Sequence, residues 1–375
     1  MFVTLSENIQ HMANKELSSI ITDRIVTVDQ LLNAHDISLE YWEIEKQIIN
    51  SWEVGAKTPD GVIATTPLFQ VKVWLKSKIE SKRLDEIKAE FIEDLQSLSP
   101  VVKKFEYKNV SDKPKKMVEI NIFDLHLGKF AWREETNQDY DLKIAMEIFN
   151  NCVDHFIESV KNVNVEKFLI PIGNDFFNSD YSYPYNRTTK GTPQENDTRW
   201  QHIFRKGRQL LIENINKLTR IAPVDVVMIP GNHDYEKIFY LGDSLQGWFH
   251  NNENVTVNNL AAPRKYYKYE DILLGFTHGD KEKINDLPLI MAQENPMDWA
   301  ATKYREFHLG HIHHKQEIKY KSAHEYSGVI IRYMSSLSGT DAWHFSHGYV
   351  GSRRSAECLV WDGKKGLDQQ IYYTL

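Results

Sequence analysis

The sequence predicts an α/β fold preceded by a small α+β domain, and three observations support that prediction. Short apolar runs rich in Val, Ile and Phe recur after residue 116, as buried strands do. Stretches with helical periodicity, at 139–160 and 199–220, separate these runs. Polar residues with metal-ligating chemistry follow directly after five of the runs. The five runs are 117–123, 167–172, 224–229, 272–277 and 307–309.

The length and composition set limits on the class of protein. A chain of 375 residues has room for two or three domains, and 41% hydrophobic residues supply real cores. The net charge of −7 argues against a protein that coats nucleic acid electrostatically, but bound cations would offset carboxylates in an enzyme. Cys152 and Cys358 have no nearby Cys partner, which argues against a zinc knuckle or a disulfide framework. We find no membrane span or signal peptide and expect a cytoplasmic protein.

Residues 1–112 are expected to form an accessory domain. Thr27-Val-Asp-Gln30 has the form of a capping box and predicts one helix, and Ser38 is a suitable cap for a second helix over 39–50. Alternating patterns at 51–54 and 69–75 predict a β-hairpin. Helix, helix and hairpin is the outline of a winged helix. DNA binding and a plain accessory or oligomerisation role both stay open, because the second helix is acidic and the hairpin is basic. A homodimer is compatible with either role.

The second domain is expected over residues 113–375, after a Lys- and Pro-rich boundary at 99–116. An amphipathic helix is predicted just before that boundary, at 83–98. A long polar insert, 178–197, follows one of the strands, and such loops are often functional. Its candidate substrate-binding residues are Tyr183, Arg187 and Lys190, which could stack on bases and hold phosphates. The alternative is that the insert packs onto the protein.

The polar residues at the strand ends predict one site, because ligands gather at the carboxyl ends of strands in open α/β sheets. Carboxylate and imidazole groups with one amide oxygen suit Mn²⁺, Fe²⁺ or Zn²⁺. One ion needs three or four protein ligands, and seven candidates are present, so we expect two ions with a bridging carboxylate. The candidates are Asp124, His126, Asp175, Asn232, His278, His311 and His313, with His233 beside them.

The motifs resemble the signature of the calcineurin-like metallophosphoesterases over about residues 117–375. They are Asp124-Leu-His126, Gly173-Asn-Asp175-Phe-Phe-Asn178, Gly231-Asn-His-Asp234, His278-Gly279 and Gly310-His-Ile-His313. The resemblance implies a four-layer αββα sandwich. It implies a first ion, expected to be Mn²⁺ with Fe²⁺ or Zn²⁺ as alternatives, held by Asp124, His126, Asp175 and His313. Asp175 would bridge to a second ion that Asn232, His278 and His311 complete.

The same resemblance implies that His233 is a general acid or stabilises the transition state, and that a hydroxide bridging the metals is the nucleophile. Two features depart from the family pattern. The usual Gly-Asp pair is here Gly173-Asn-Asp175, and the residue expected to orient His233 is Asn178, which raises a histidine pKa less than a carboxylate does.

A second resemblance concerns segments 188–194, 197–200 and 338–343, which are similar to metallophosphoesterases encoded by bacteriophages and prophages. The chain resembles DNA-repair exonucleases more distantly. This implies the cytoplasm of a bacterial host and a role in DNA metabolism. His344 is expected near the rim of the site, where it could touch substrate or simply pack a loop.

Three functions follow as hypotheses. The leading one is a binuclear metal-dependent phosphodiesterase that cuts DNA as an exo- or endonuclease. The alternative is a small-molecule or nucleotide phosphatase or phosphodiesterase, with an accessory domain that does not bind DNA. The third is a non-catalytic factor with structural metals.

Overall fold

A computed structural model describes residues 14–19, 24–40, 42–57, 60, 61, 63–77, 99–102, 105, 107, 113–182, 186–311, 323–348, 350, 351 and 353–375. The chain divides into two compact units, Met1–Ser97 and Leu98–Leu375. The observed boundary, between residues 97 and 98, lies N-terminal to the boundary predicted between residues 112 and 113. None of the helices among the described residues has the length and apolarity that a membrane crossing requires.

The first unit is a three-stranded antiparallel sheet with one helix. It contains β1 (Asn14–Ser18), α1 (Val28–Ala34), β2 (Trp42–Lys57) and β3 (Ile63–Ser77), with strand order β1-β3-β2. The capping box predicted at Thr27 is confirmed: its hydroxyl accepts from Gln30 N, and the Gln30 side chain accepts from Thr27 N. The helix packs on the sheet through a small apolar core made by Leu17, Val28, Leu31, Leu32, Val71, Val73 and Leu75.

The predicted second helix over residues 39–50 is wrong, because residues 42–57 form strand β2. The strand pairs with β3 at fifteen positions, and Trp42 and Ile44 pack on the core of the unit. This long-range pairing outweighs the weak helical preference of the segment. The helix-turn-helix of a winged helix is therefore not formed by the described residues of this unit. The helix predicted at 83–98 lies entirely outside the described residues.

The second unit is an α/β sandwich with two sheets. Its strands are β4 (Lys116–Asn121), β5 (Val165–Gly173), β6 (Val224–Ile229), β7 (Val255–Asn258), β8 (Lys265–Tyr269), β9 (Ile272–Thr277), β10 (Tyr304–Leu309), β11 (Ala323–Tyr326), β12 (Val329–Tyr333), β13 (Ser355–Asp362) and β14 (Gly366–Thr374). Its helices are α2 (Arg133–Thr136), α3 (Leu142–Ser159), α4 (Trp200–Thr219), α5 (Tyr235–Trp248), α6 (Leu287–Glu294), α7 (Pro296–Ala301) and α8 (Ala342–Ser346), with a 3₁₀ turn at Ile284–Asp286. The two long helices predicted at 139–160 and 199–220 are confirmed as α3 and α4.

One sheet has six strands in the order β14-β13-β4-β5-β6-β7, and the other has five in the order β11-β12-β10-β9-β8. Strands β4, β5, β6 and β7 run parallel to one another, as do β9, β10 and β12. The central parallel strands β4, β6 and β9 are buried on both faces, which explains their continuous apolar runs.

Three apolar clusters define the layers of the sandwich. The largest joins α3, α4 and α5 to one face of the six-stranded sheet. A second cluster, including Leu169, Leu274 and Trp361, fills the space between the two sheets. A third joins α6 to the outer face of the five-stranded sheet. The order is therefore helices, sheet, sheet, helices, and the carboxyl ends of the parallel strands carry the polar motifs.

Candidate metal centre

The loops that leave β4, β5, β6, β9 and β10 bring the predicted residues together. Nine described residues other than glycine have a positive φ, and five of them lie in these loops: Asp124, His126, Asn174, Asp175 and His311. Each such conformation costs on the order of 1–3 kcal/mol and persists only where the surroundings enforce it. The strain is therefore concentrated at the strand ends, as it is at functional sites.

Four side chains bring a nitrogen or oxygen atom to one point: Asp175, Asn232, His278 and His311. Asn232 Oδ1 lies 2.8 Å from His278 Nε2 and 3.1 Å from His311 Nδ1. The two imidazole nitrogens lie 3.1 Å apart, and Asp175 Oδ2 lies 3.1 Å from His278 Nε2. Asp175 Oδ2 is buried and accepts no hydrogen bond from the described residues.

This cluster has the composition and spacing of a metal site. Lone pairs that face one another repel unless a proton or a cation lies between them. Ligand atoms about 2.1 Å from one ion lie about 3.0–3.4 Å from each other, close to the separations seen here. The residues present therefore fit a divalent cation held by Asp175, Asn232, His278 and His311.

A second group shares Asp175 with the first. Ligand atoms of His126, Asp175 and His233 lie within 4.8 Å of one another, as do those of Asp175, His278 and His311. Asp124 Oδ1 lies 4.0 Å from His126 Nε2, and both side chains are buried. Asp175 stands between the two groups, which is where a bridging carboxylate is needed. His313, the fourth ligand predicted for this group, lies outside the described residues.

The electrostatics of the pair Asp175 and His278 are strongly coupled. Burial alone would raise the pKa of Asp175, but His278 and His233 outweigh it and hold that pKa below its ordinary value. Burial alone would lower the pKa of His278, but the Asp175 carboxylate raises it to about 9. Burial raises the pKa of Asp124 to about 7 against the opposing effect of His278. A divalent cation would take the place of the imidazolium proton and keep both carboxylates ionised.

His233 is held at both its main chain and its ring. Its N–H donates to Asp175 Oδ1 over 2.7 Å, and its Nδ1 lies 2.8 Å from the carbonyl oxygen of Asn178. A carbonyl only accepts, so Nδ1 carries the proton and Nε2 keeps the lone pair. Burial lowers the pKa of His233 and outweighs the raising effect of Asp175.

Asn178 contacts His233 through its main chain rather than its side chain, which corrects the expected contact. The Asn178 side-chain amide instead donates to Glu195 O and Asn196 Oδ1, both at 2.9 Å. The side chain therefore fastens the polar insert, and the carbonyl orients the histidine.

Two supporting residues were not predicted. Asp234 is fully buried, and its carboxylate accepts from Gly231 N and Phe177 N, which ties the loop after β6 to the loop after β5. Gly231 lies so close to Asp175 that a Cβ there would come within 2.1 Å of its carboxylate oxygen. The Gly-Asn-His-Asp motif is the sequence signal for both, because only glycine leaves room for the carboxylate.

The predicted substrate-binding residues separate in the structure. His344 lines a cleft beside His233, and its Nδ1 lies 2.7 Å from Asp341 Oδ1.

The predicted residues of the polar insert do not line the described part of this cleft. Lys190 makes a salt bridge to Asp280 at 3.6 Å, and the Arg187 guanidinium lies 6.0 Å from the centre of the Tyr181 ring. Tyr183 lies outside the described residues.

Lys129 is a further residue that sequence analysis missed. It is 3% exposed, and its Nζ lies 3.3 Å from Asp341 Oδ2 in the wall of the cleft. Burial lowers the pKa of Lys129, and Asp341 opposes that effect. The only sequence signal is its position three residues after His126, since its partner follows more than two hundred residues later.

Comparison of the chain with protein-family models found no match. Comparison with curated proteins found no match either. The assignment of the centre therefore depends on its geometry: buried His and Asp groups that could hold a metal ion.

Proposed function

We propose that the chain is a binuclear metal-dependent phosphodiesterase of the calcineurin-like type, acting on nucleic acid. The observation that carries the proposal is the convergence of Asp175, Asn232, His278 and His311 through atoms 2.8–3.1 Å apart. Asp124 and His126, which are buried on the other side of Asp175, support a second ion that His233 adjoins without being counted as a ligand. Carboxylate, imidazole and amide oxygen together favour Mn²⁺, with Fe²⁺ or Zn²⁺ as alternatives.

When bound, two such ions supply an activated water and stabilise the charge that develops on the phosphoryl oxygens. The chain supplies the rest. Asp175 would contribute a ligand to both ions, and its Oδ1 accepts a hydrogen bond from the main-chain N–H of His233. His233 Nε2 then stands beside the reacting phosphate, and the negative charge of the ester would raise the pKa of this imidazole. We propose that Nε2 takes up a proton as the ester binds, donates it to the leaving oxygen, and returns to the neutral ring with its remaining proton on Nδ1, bonded to Asn178 O.

A second candidate is a phosphatase or phosphodiesterase of free nucleotides. The charge of the cleft keeps this candidate open by arguing against long duplex DNA, because the described Lys and Arg residues there are Lys129 and Arg199, against Glu195, Asp197 and Asp341. A groove for long duplex DNA is usually basic, since phosphate contacts supply most of the affinity. A DNA partner, a homodimer and a cytoplasmic location stay predictions.

The test is a hydrolysis assay of the full chain with Mn²⁺. Bis-p-nitrophenyl phosphate, supercoiled plasmid, linear duplex, single-stranded DNA and free nucleotides are compared side by side. We expect cleavage of the model diester together with at least one form of DNA, and no cleavage in EDTA. Release of phosphate from nucleotides with intact polynucleotide would favour the second candidate. Inactivity on every ester would contradict both.

A further inference from the structure

A cleft of about 1470 Å³ opens beside Asn232 and His233. Segment 186–200 of the chain forms much of its wall, and α8 contributes to it as well. This volume exceeds the roughly 300–1,000 Å³ of most small-ligand pockets. The cleft therefore suits an extended ligand better than a small phosphomonoester.

Three aromatic side chains line this cleft while remaining open to water. Phe130 is 40% exposed, Trp200 is 40% exposed and Trp343 is 57% exposed. Single exposed aromatic residues are common on protein surfaces. Three in one cleft that is otherwise mainly polar, next to a candidate metal centre, indicate a surface on which planar groups stack.

Two of these rings are supported from within the protein. Lys237 Nζ lies 5.8 Å from the centre of the Trp200 ring, and the same nitrogen donates to the carbonyl of Ser179. The Trp343 ring stacks on His347, with centroids 4.3 Å apart and planes 26° apart. Rings that are already fixed lose little freedom when a ligand binds.

The charge of the cleft indicates that ring stacking, rather than phosphate contact, would supply most of its affinity for a nucleic acid. The described Lys and Arg residues in its wall are Lys129, which is paired with Asp341, and Arg199. Glu195 and Asp197 are acidic. A duplex presents its phosphates outward and hides the faces of its bases, whereas a single strand presents both.

We propose that the cleft binds unpaired nucleobases, stacked on Trp200 and Trp343, so that the adjoining phosphate reaches the candidate metal centre. The preferred substrate is then a single strand or a frayed end. This inference rests on the proposed phosphodiesterase function and names its substrate class. Stacking of this kind tolerates any base, because every base has a π-face.

The first test measures binding of the full chain in EDTA, so that hydrolysis plays no part. The probes are a fluorescein-labelled oligothymidylate and an abasic strand of the same length and charge, followed by anisotropy. Trp200→Ala and Trp343→Ala should each weaken oligothymidylate binding by about 5- to 150-fold and leave abasic binding unchanged. The matched control is Trp248→Ala, since Trp248 is 41% exposed at the end of α5 and outside the described lining.

Equal affinity of wild type for the two strands, or no measurable binding, would overturn the inference. So would unchanged binding in both variants, with circular dichroism confirming that each is folded. Trp343→Phe should retain most of the affinity, because it keeps a stacking ring.

The second test measures cleavage with Mn²⁺. Single-stranded oligothymidylate should be cut faster than a blunt duplex, and the two Trp variants should lose that preference. Equal rates on the two substrates in wild type would contradict the inference. Failure of wild type to cut any ester would count against the proposed function, and the EDTA binding result would still decide the inference.

Discussion

Two buried histidine clusters lie close together on strand β10 and the loop after it, and they differ in what faces the imidazole. His308 Nδ1 lies 2.6 Å from Glu119 Oε1, and its Nε2 lies 3.2 Å from Glu306 Oε2. Arg332 makes a salt bridge to Glu306 at 2.9 Å, and the Trp361 indole donates to Glu119. In this cluster each acceptor faces a donor, and two carboxylates balance two cations.

In the second cluster one ring nitrogen, His278 Nε2, has three possible acceptors around it, and a single N–H cannot donate well to all three. The ring nitrogens of His278 and His311 point at each other, at the Asn232 oxygen and at Asp175. The pKa of His278 and the pKa of His308 are both raised to about 9, in each case by carboxylates that outweigh burial. The pKa shift therefore does not separate the two clusters. The number of donors available to the clustered acceptors does, and it fits a structural role for the first cluster and the proposed cation site for the second.

The largest effect is expected from Asp175→Ala. Losing the shared carboxylate removes a ligand from both groups, and loss of outer-shell partners alone typically costs about 10- to 100-fold in metal affinity or activity. We expect hydrolysis of bis-p-nitrophenyl phosphate to fall by more than about 100-fold at any Mn²⁺ concentration. A variant with normal turnover would show that Asp175 is not a bridge.

His233→Ala should retain metal and lose rate, because the ring is fixed by Asn178 O and stands beside the centre. General acid catalysis contributes about 10²–10⁴-fold, so kcat should fall within that range. The comparison of p-nitrophenyl esters with DNA sharpens this prediction. A p-nitrophenolate leaves without protonation, so the loss should be smaller for the model ester than for a nucleotide alcohol.

His308→Gln should lower the free energy of unfolding and leave Mn²⁺ affinity unchanged. Breaking a buried ion pair costs on the order of 3–5 kcal/mol. The folded pKa of His308 is raised from 6.5 to about 9, so the stabilisation is complete below pH 6.5 and disappears as pH rises through about 9. Urea unfolding should show the largest difference between wild type and variant near pH 6 and a smaller one at about pH 9.5. If the difference in unfolding free energy between wild type and variant grew with pH, the assignment of His308 as a stabilising imidazolium would be contradicted.

The smallest effect is expected from Asn178→Ala. The carbonyl that orients His233 is retained, and only the side-chain contacts to the polar insert are lost. We expect less than about a tenfold change in kcat, below the roughly 10- to 100-fold loss that is typical of outer-shell partners. A loss as large as that of His233→Ala would show that the side chain takes part in the chemistry.

The sequence predicted the site better than the first unit, for a physical reason. Parallel strands buried on both faces have continuous apolar runs, and strands of one sheet share an edge at their carboxyl ends, so Asp124, Asp175 and Asn232 could be placed together. His278 follows a strand of the second sheet, and the packing of the two sheets brings it to the same site. The segment 42–57 has no such constraint, and its pairing with β3 decides its structure. The ion pair of Lys129 with Asp341 and the main-chain contact of Asn178 depend on the folded chain, and no local pattern marks them.

The central claim is that the cluster around Asp175 binds divalent cations. Its most direct test is the Mn²⁺ content of the protein after equilibrium dialysis, measured by inductively coupled plasma mass spectrometry. Wild type, His308→Gln and Asp175→Ala are compared. We predict two ions per chain in wild type and in His308→Gln, and a loss of bound metal in Asp175→Ala. Wild type without bound Mn²⁺, or equal content in all three proteins, would contradict the assignment of the acceptor-lined cluster as a cation site.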